Sequence, residues 1–541
     1  MKKALTVLLV LLSVFALFAS GAAEKETATT SAAPKMAEKQ VYYEGAPKSS
    51  QGQSSFITTN AHRLDAVVNQ PGVAMSWNGE LKNQIVESYE MQEGGKVWIL
   101  HIRPNLKWHD GYDVVAEDFI WSYSAWANPR VATRWNGKAA SIKGFDAVQK
   151  GETDILSGVT KIDDKTVRVE LSDAVPLWMR IEQVYLVIFP YHIFKDVKPE
   201  DVVSHSFWTA RIGTGPFKYA EYVPDQYIRF ERNEDYYDGA PIIETMYYVF
   251  YENAAAMLNA YANGEIHTTF YEGTSITPDD RDYYASLKDH VVVTMDKGSA
   301  SALILNFKDP DWAKKEIRQA LLYALDIDTI LANLYPGATK ALDIFPQSWA
   351  HGKNLNPYDY NPEKAKELIA KAGYSGKTHI LYYTMTDQTI VNLLQACQQY
   401  WAAVGIKVDL QYITAAAATE LNLSDEKDML LNGTGMSLDP SLAETGLKTG
   451  EMLAYNYSNP RVDELFAEGK KYSDIKDREK YYQEISTIIN EDAVRCWLWF
   501  DIRDLGFSTK VVGPKEHWEE QGSILFNMGV YNEIEKWYVV E

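Results

Sequence analysis

The chain has 541 residues, 46% of them hydrophobic and 13% aromatic, with 35 Tyr and 15 Trp. That stock is ample for two or three lobes with their own cores and excludes a disordered chain. A formal net charge of −21 argues against nucleic acid or an anionic membrane as partner, since both call for a basic surface.

The chain opens with Lys2 and Lys3, an apolar run from Ala4 to Phe18, and small residues from Ala19 to Ala23. These are the parts of a secretory signal peptide over residues 1–23, too short for a membrane span, with cleavage expected after Gly21 or Ala23. No Cys lies nearby, so a lipid anchor is not expected, and the mature protein is expected to be periplasmic. Residues 24–40, rich in Ala, Thr, Ser, Lys and Glu without apolar periodicity, read as a flexible spacer.

From Val41 to Glu80 the sequence is turn-rich. Gly94-Gly95 reads as a hairpin turn into a strand over Val97–Ile102. After Trp108-His109-Asp110-Gly111, the stripe Ala116, Phe119, Ile120, Tyr123 and Ala127 predicts a helix that ends at Asn128-Pro129. Glu117 and Asp118 fall in its first turn, where the helix dipole favours acids, and Asp113 is the expected cap. Strands are expected over Thr166–Leu171, Tyr185–Phe189, Tyr247–Tyr251 and Leu303–Asn306. Helices are expected over Ala254–Asn263, from Asp309-Pro310, and from Asn361-Pro362 to Gly373. Strand Ile380–Thr384, helix Gln388–Val404 and strand Ile406–Leu410 form a β-α-β run. Helices starting at Asn459-Pro460 and Asp474 and a strand over Trp497–Asp501 complete an interleaved α/β chain.

His109-Asp110 and Glu117-Asp118 invite a hydrolytic reading, but neighbours in sequence do not make a catalytic pair. No Gly-x-Ser-x-Gly, His-Glu-x-x-His or Cys-His arrangement is present, and the ten His show no metal-ligand spacing. Gly213-Thr214-Gly215-Pro216 is a turn rather than a phosphate loop, because no Lys-Ser/Thr follows it. Cys397 lies on the apolar face of a helix, and a buried free thiol is expected there in preference to a disulfide with Cys496. Two cysteines are too few for a Cys-rich zinc module. No cofactor or metal is expected.

Four blocks in order carry a specific pattern. RPNLKWHDGYDVVAEDFIWSYSAWANP resembles the signature of the family 5 extracellular solute-binding proteins, the oligopeptide- and dipeptide-binding components of bacterial ABC importers. GTGPFKYAEYVPDQYIRFERNEDYYDGAP, FKDPDWAKKEIRQALLYALDIDTIL and YNPEKAKELIAKAGY resemble later blocks of that family. NPRVDELFAEGKKYSDIKDREKYYQEISTIINEDA is similar to its C-terminal helices.

The resemblance implies an α/β, periplasmic-binding-protein-like fold of type II: a venus flytrap of two α/β lobes plus an inserted third domain. Lobe I would comprise residues 41–79, 191–298 and 505–541, the inserted domain 80–190, and lobe II 299–504, with hinges near Ser299–Asn306 and Phe500–Leu505. It implies a monomer that is not an enzyme, holds a peptide or similar small solute and docks on an ABC permease. Many members hold the peptide's α-amino group with an Asp four residues before a Pro. Here the run is Asn432-Gly433-Thr434-Gly435-Met436-Ser437-Leu438-Asp439-Pro440, so Met436 takes that place and Gly433 replaces a usual Trp. Asp439 is the nearby carboxylate available to substitute. Other members bind oligosaccharides on aromatic faces. Trp497 and Trp499, alternating on a strand beside the hinge, are the candidates here, whereas Trp108 and Trp401 read as core. The ligand-binding candidates are therefore Gly433, Thr434, Gly435, Met436, Asp439, Trp497 and Trp499. An oligosaccharide binder and an exported hydrolase are the alternatives to a peptide binder.

Overall fold

The computed structural model describes residues 35–541 except 57–65, 76–79, 134, 270–275, 278–279, 346, 386, 423–426, 436–438, 452–454, 522–530 and 532. The expected signal peptide and most of the expected spacer lie outside the described residues, as does Met436. No helix among the described residues is long and apolar enough to cross a membrane.

Three sheets organise the chain. In the first lobe, Val41–Pro47 pairs parallel with Thr245–Tyr251, followed by Tyr227–Arg232 and Phe217–Val223. Alternation decides its faces: Met246, Tyr248 and Phe250 point into the core with Ile228 and Phe230, while Tyr247 and Tyr251 lie on the other side. In the second lobe, the strand order is Thr339–Lys340, Cys496–Ser508, His290–Leu305, Met429–Gly435, Thr378–Tyr383 and Lys407–Tyr412. Thr378–Tyr383 and Lys407–Tyr412 are parallel and joined by helix Gln388–Ala403, the expected β-α-β unit. Cys397 and Trp401 on that helix are fully buried.

The inserted domain has its own antiparallel sheet, in the order Val86–Gln92, Val97–Ile102, Thr166–Glu170 and Val159–Asp163. The hairpin needs Gly94 (φ 65°) and Gly95 (φ 94°); a Cβ on Gly95 would stand 2.7 Å from the Pro176 nitrogen. Helix Ala116–Ala127 lays Ala116, Phe119, Tyr123 and Ala127 against this sheet, and full burial of Phe119 alone is worth about 1.5–3 kcal/mol. The same core takes in Phe56, Val73, Phe194, Phe207 and Trp208, so it is built partly from segments outside residues 80–190.

Several local expectations are corrected. Tyr185–Phe189 is not a strand. Leu186 to Phe189 are enclosed on all sides, and the backbone is satisfied instead by Trp126 Nε1 on the Val187 carbonyl (3.0 Å) and by Ser122 Oγ accepting from Phe189 N–H (2.8 Å). The helix expected at Asp309-Pro310 starts only at Lys315, because Asp309 closes a turn on the Asp311 N–H and Trp312 plugs the core. Leu303–Asn306 proves to be the end of a 16-residue strand, His290–Leu305. Asp113 pairs with Lys107 at 2.7 Å; Asp118 reaches back to the Val115 N–H at 2.8 Å and supplies the capping contact.

Candidate functional site

The long strand His290–Leu305 and the return strand Cys496–Ser508 are shared by both lobes. Their outer ends, with Val291, Val293, Leu505 and Phe507, pack in the first lobe; Leu303, Leu305, Leu498 and Trp499 pack in the second. Thr268 bridges Glu44 to Phe507 and so stitches the first lobe's sheet to this ribbon. The two strands are antiparallel from His290↔Ser508 to Asp296↔Ile502, lose register, and resume at Ala300↔Phe500. Residues 297–299 therefore stand opposite Asp501 alone, a bulge that interrupts the ladder between the two strands.

Asp501 is the polar centre of that bulge. Its carboxylate accepts from Ser299 Oγ (2.6 Å), Ser301 Oγ (2.9 Å) and Trp499 Nε1 (3.0 Å). Asp504, on the first-lobe side, accepts from Thr294 Oγ1 at 2.5 Å, with the Arg281 guanidinium 3.9 Å away. Sequence reasoning passed over Asp501, although its position at the end of the Trp497–Asp501 strand, next to the inferred hinge, was visible.

The candidate segment lies against the other edge of the long strand. Gly435 pairs with Ser299, Thr434 with Ala300, and Gly433 with Ser301, so their backbones are ladder members. Met436 lies outside the described residues. Asp439, 2% exposed, faces elsewhere: both its oxygens are taken by Arg478, at 2.6 and 2.7 Å, and Ser441 adds an O–H and an N–H. Burial pushes the Asp439 carboxyl up, but the guanidinium outweighs it and holds the pKa below the usual value. Arg180 and Tyr185 of the inserted domain lie within electrostatic reach of Asp439.

The two tryptophans part company. Ser301 is opposite Trp499 and Ala302 opposite Trp497, so Leu498 is an extra residue and the regular alternation is broken. Trp499, fully buried, joins the core of Leu303, Leu305 and Leu321, with its N–H on Asp501. Trp497, 4% exposed, packs with Ala300, Ala302 and Phe345, and its N–H has no partner among the described residues. It borders a cavity of about 20 Å³, also lined by Arg495, Tyr358 and Asn490, the size of one water. Neither indole presents an open face.

The pairs that suggested hydrolysis have structural partners. His109 accepts from the Gly213 N–H at Nδ1 (3.2 Å) and has Nε2 3.0 Å from the Gly215 carbonyl, so one neutral tautomer pins the first block to the second. Burial lowers its pKa to about 4. Asp118, raised by burial to about 6, also accepts from Tyr191 N–H (2.7 Å) and Trp108 Nε1 (3.1 Å). Asp110 pairs with His192 at 2.8 Å, and Glu117 with Lys161 at 2.8 Å. Asp309, His379 and Asp428 converge closely enough to hold a cation, which sequence spacing did not reveal. There Lys377 Nζ binds Asp309, while Trp312 Nε1 (2.6 Å) and Ile380 N–H (2.9 Å) bind Asp428, so protein donors already occupy these carboxylates. Cys397 and Cys496 are free and buried, and burial raises both thiols to about 12.

Residues 80–450 match the family described as bacterial extracellular solute-binding proteins, family 5. A putative ABC transporter peptide-binding protein of Brucella ovis is 27% identical over 354 residues, which cover 63% of each chain. The match thus spans less than two thirds of that relative. The oligopeptide-binding protein AppA of Bacillus subtilis is 25% identical over 485 residues, 85% of this chain and 84% of its own. In three dimensions, the ABC transporter substrate-binding protein CtaP of Listeria monocytogenes superposes with a TM-score of 0.77 at 23% identity, covering 93% of this chain and all of that one. The fold is that of the periplasmic binding proteins, with two α/β lobes and an additional domain.

Proposed function

Because the chain belongs to the bacterial extracellular solute-binding proteins of family 5, we propose that it captures an oligopeptide or similar solute between its two lobes and delivers it to the membrane permease of an ABC importer. The observation that carries the reading is the bulged two-strand ribbon between the lobes, which brings Asp501, Ser299 and the Gly433–Gly435 backbone to one place. Closure about such a ribbon buries a solute and excludes water, which strengthens each polar contact. The relatives named above, a putative peptide-binding and an oligopeptide-binding protein, favour a peptide. The enclosed indoles of Trp497 and Trp499 weigh against the oligosaccharide alternative, and the structural partners of His109 and Asp118 weigh against a hydrolase.

In this reading residues 1–23 are a cleaved signal peptide, residues 24–40 a spacer and residues 80–190 the inserted domain, and the mature protein is periplasmic. The experiment is a thermal-shift panel of di- to hexapeptides and oligosaccharides on the mature protein. A ligand at 100 times its Kd adds about 2.7 kcal/mol of apparent stability. Stabilisation by peptides that are recovered intact supports the proposal; stabilisation by oligosaccharides alone, or peptide cleavage, refutes it.

A further inference from the structure

We propose that the second lobe holds a small monovalent anion, chloride being the one that fits, in the cavity walled by Lys340, Arg495 and Trp497. The inference does not depend on which solute the two lobes take.

The cavity lies where the return strand Cys496–Ser508 and the edge strand Thr339–Lys340 meet helices Lys315–Tyr323 and Ile475–Glu491. Its volume of about 20 Å³ takes one water-sized particle. Lys340 and Arg495 both line it, and no Asp or Glu does. Arg495 is 6% exposed, with its guanidinium carbon 6.0 Å from the centre of the Trp497 ring. The half-buried Lys340 ammonium gives one of its three protons to the Tyr358 carbonyl at 2.9 Å. Trp497 adds an indole N–H that has no partner among the described residues. Burial lowers the pKa of both cations, as expected where no carboxylate on the wall offsets the loss of water; Asp328, Asp359 and Asp326 act on Lys340 from beyond the wall.

The polar groups on the opposite wall are already committed. Asn490 Oδ1 accepts from the Asn356 N–H (2.7 Å), and the Tyr358 hydroxyl donates to the Asn490 carbonyl (2.7 Å). A water in the cavity would accept from the indole and the cations but find few acceptors for its own two protons. An anion accepts from every donor and offsets buried positive charge, which no neutral molecule does. Phosphate and sulfate exceed a one-water volume, so the site selects a monatomic halide.

The test is anion exchange on the full mature chain at constant sodium concentration. Melting is followed as gluconate, too large for the cavity, is replaced by chloride. A saturable rise of about 2–4 °C is expected. Trp497→Phe, which removes the N–H and keeps a ring, and Lys340→Met, which removes a charge, should each lose most of that rise. Lys366→Met, at an exposed lysine paired with Glu363 at 2.9 Å, should keep it, so a general salt effect is told apart. Crystals of the unaltered chain soaked in sodium bromide give the direct reading, an anomalous peak between Lys340 and Arg495, which stands even where a variant does not fold. Water density without an anomalous peak there, or a chloride rise that either cavity variant leaves unchanged, overturns the inference.

Discussion

Replacing Arg478 by Met would remove the guanidinium that neutralises Asp439 and leave a fully buried carboxylate among Ser441, Tyr482 and the helix Ile475–Glu491. Both partners are enclosed, at 0% and 2% exposure, so solvent cannot compensate the loss. Breaking a buried pair by deleting one member costs about 3–5 kcal/mol. In a lobe of roughly 200 residues, each kcal/mol lowers the melting temperature by about 2–4 °C, which places the expected drop at about 6–20 °C. Because Arg478 depresses the Asp439 pKa, its contribution is present above the unfolded carboxylate range and is lost as the pH falls through the folded value. The gap between parent and Arg478→Met should therefore narrow on acidification. The double variant Arg478→Met/Asp439→Leu should be less destabilised than Arg478→Met alone, since no charge remains to bury. Differential scanning calorimetry of the parent, Arg478→Met, Asp439→Leu and the double variant from pH 7 downwards reads all of this. A drop worth less than about 1 kcal/mol, the size of an exposed ion pair, or strict additivity in the cycle would refute the reasoning.

His109 gives a second acid limb. Its folded pKa of about 4 lies below the usual 6.5, so stability is complete above the unfolded value and is lost as the pH falls from 6.5 towards 4. His109→Gln should flatten the stability profile over that window in urea titrations. A Cβ on Gly213 would stand 1.7 Å from the Val68 carbonyl oxygen, so Gly213→Ala must displace backbone; a fall in soluble yield or several °C in melting temperature is expected, and a normal melt contradicts the packing described. Trp499→Ala opens a cavity in the second lobe's core and should cost about 3–5 kcal/mol by denaturant unfolding. A cost under about 1 kcal/mol would mean that the indole is not core.

Elements whose cause is local were legible. Asn361-Pro362 and Asn459-Pro460 carry their own caps: the Asn side chains accept from Lys364 and Arg461 N–H. The Gly94-Gly95 turn that leads into Val97–Ile102 and the apolar stripe of Gln388–Ala403 needed no tertiary information. Elements whose cause is distant were not. Residues 294–301, TMDKGSAS, show no period, yet they continue a strand because Cys496–Ser508 and Met429–Gly435 flank it and Asp501 satisfies its serines. The apolar Leu186–Phe189 looks like a strand but spends its backbone groups on Ser122 and Trp126. The Gly433–Gly435 segment was named as a candidate by pattern, and it lies in the sheet along the long strand. The partner of Asp439 lies 39 residues away, and the bulge that separates Trp497 from Trp499 is a property of register; neither is written in local sequence.

The claim that the two lobes close on a peptide is tested most directly by small-angle X-ray scattering during titration of the mature protein with tetrapeptides. A saturable fall in radius of gyration at one peptide per chain, with the peptide recovered intact, is the predicted result. A radius unchanged at peptide concentrations that saturate binding would contradict capture between the lobes.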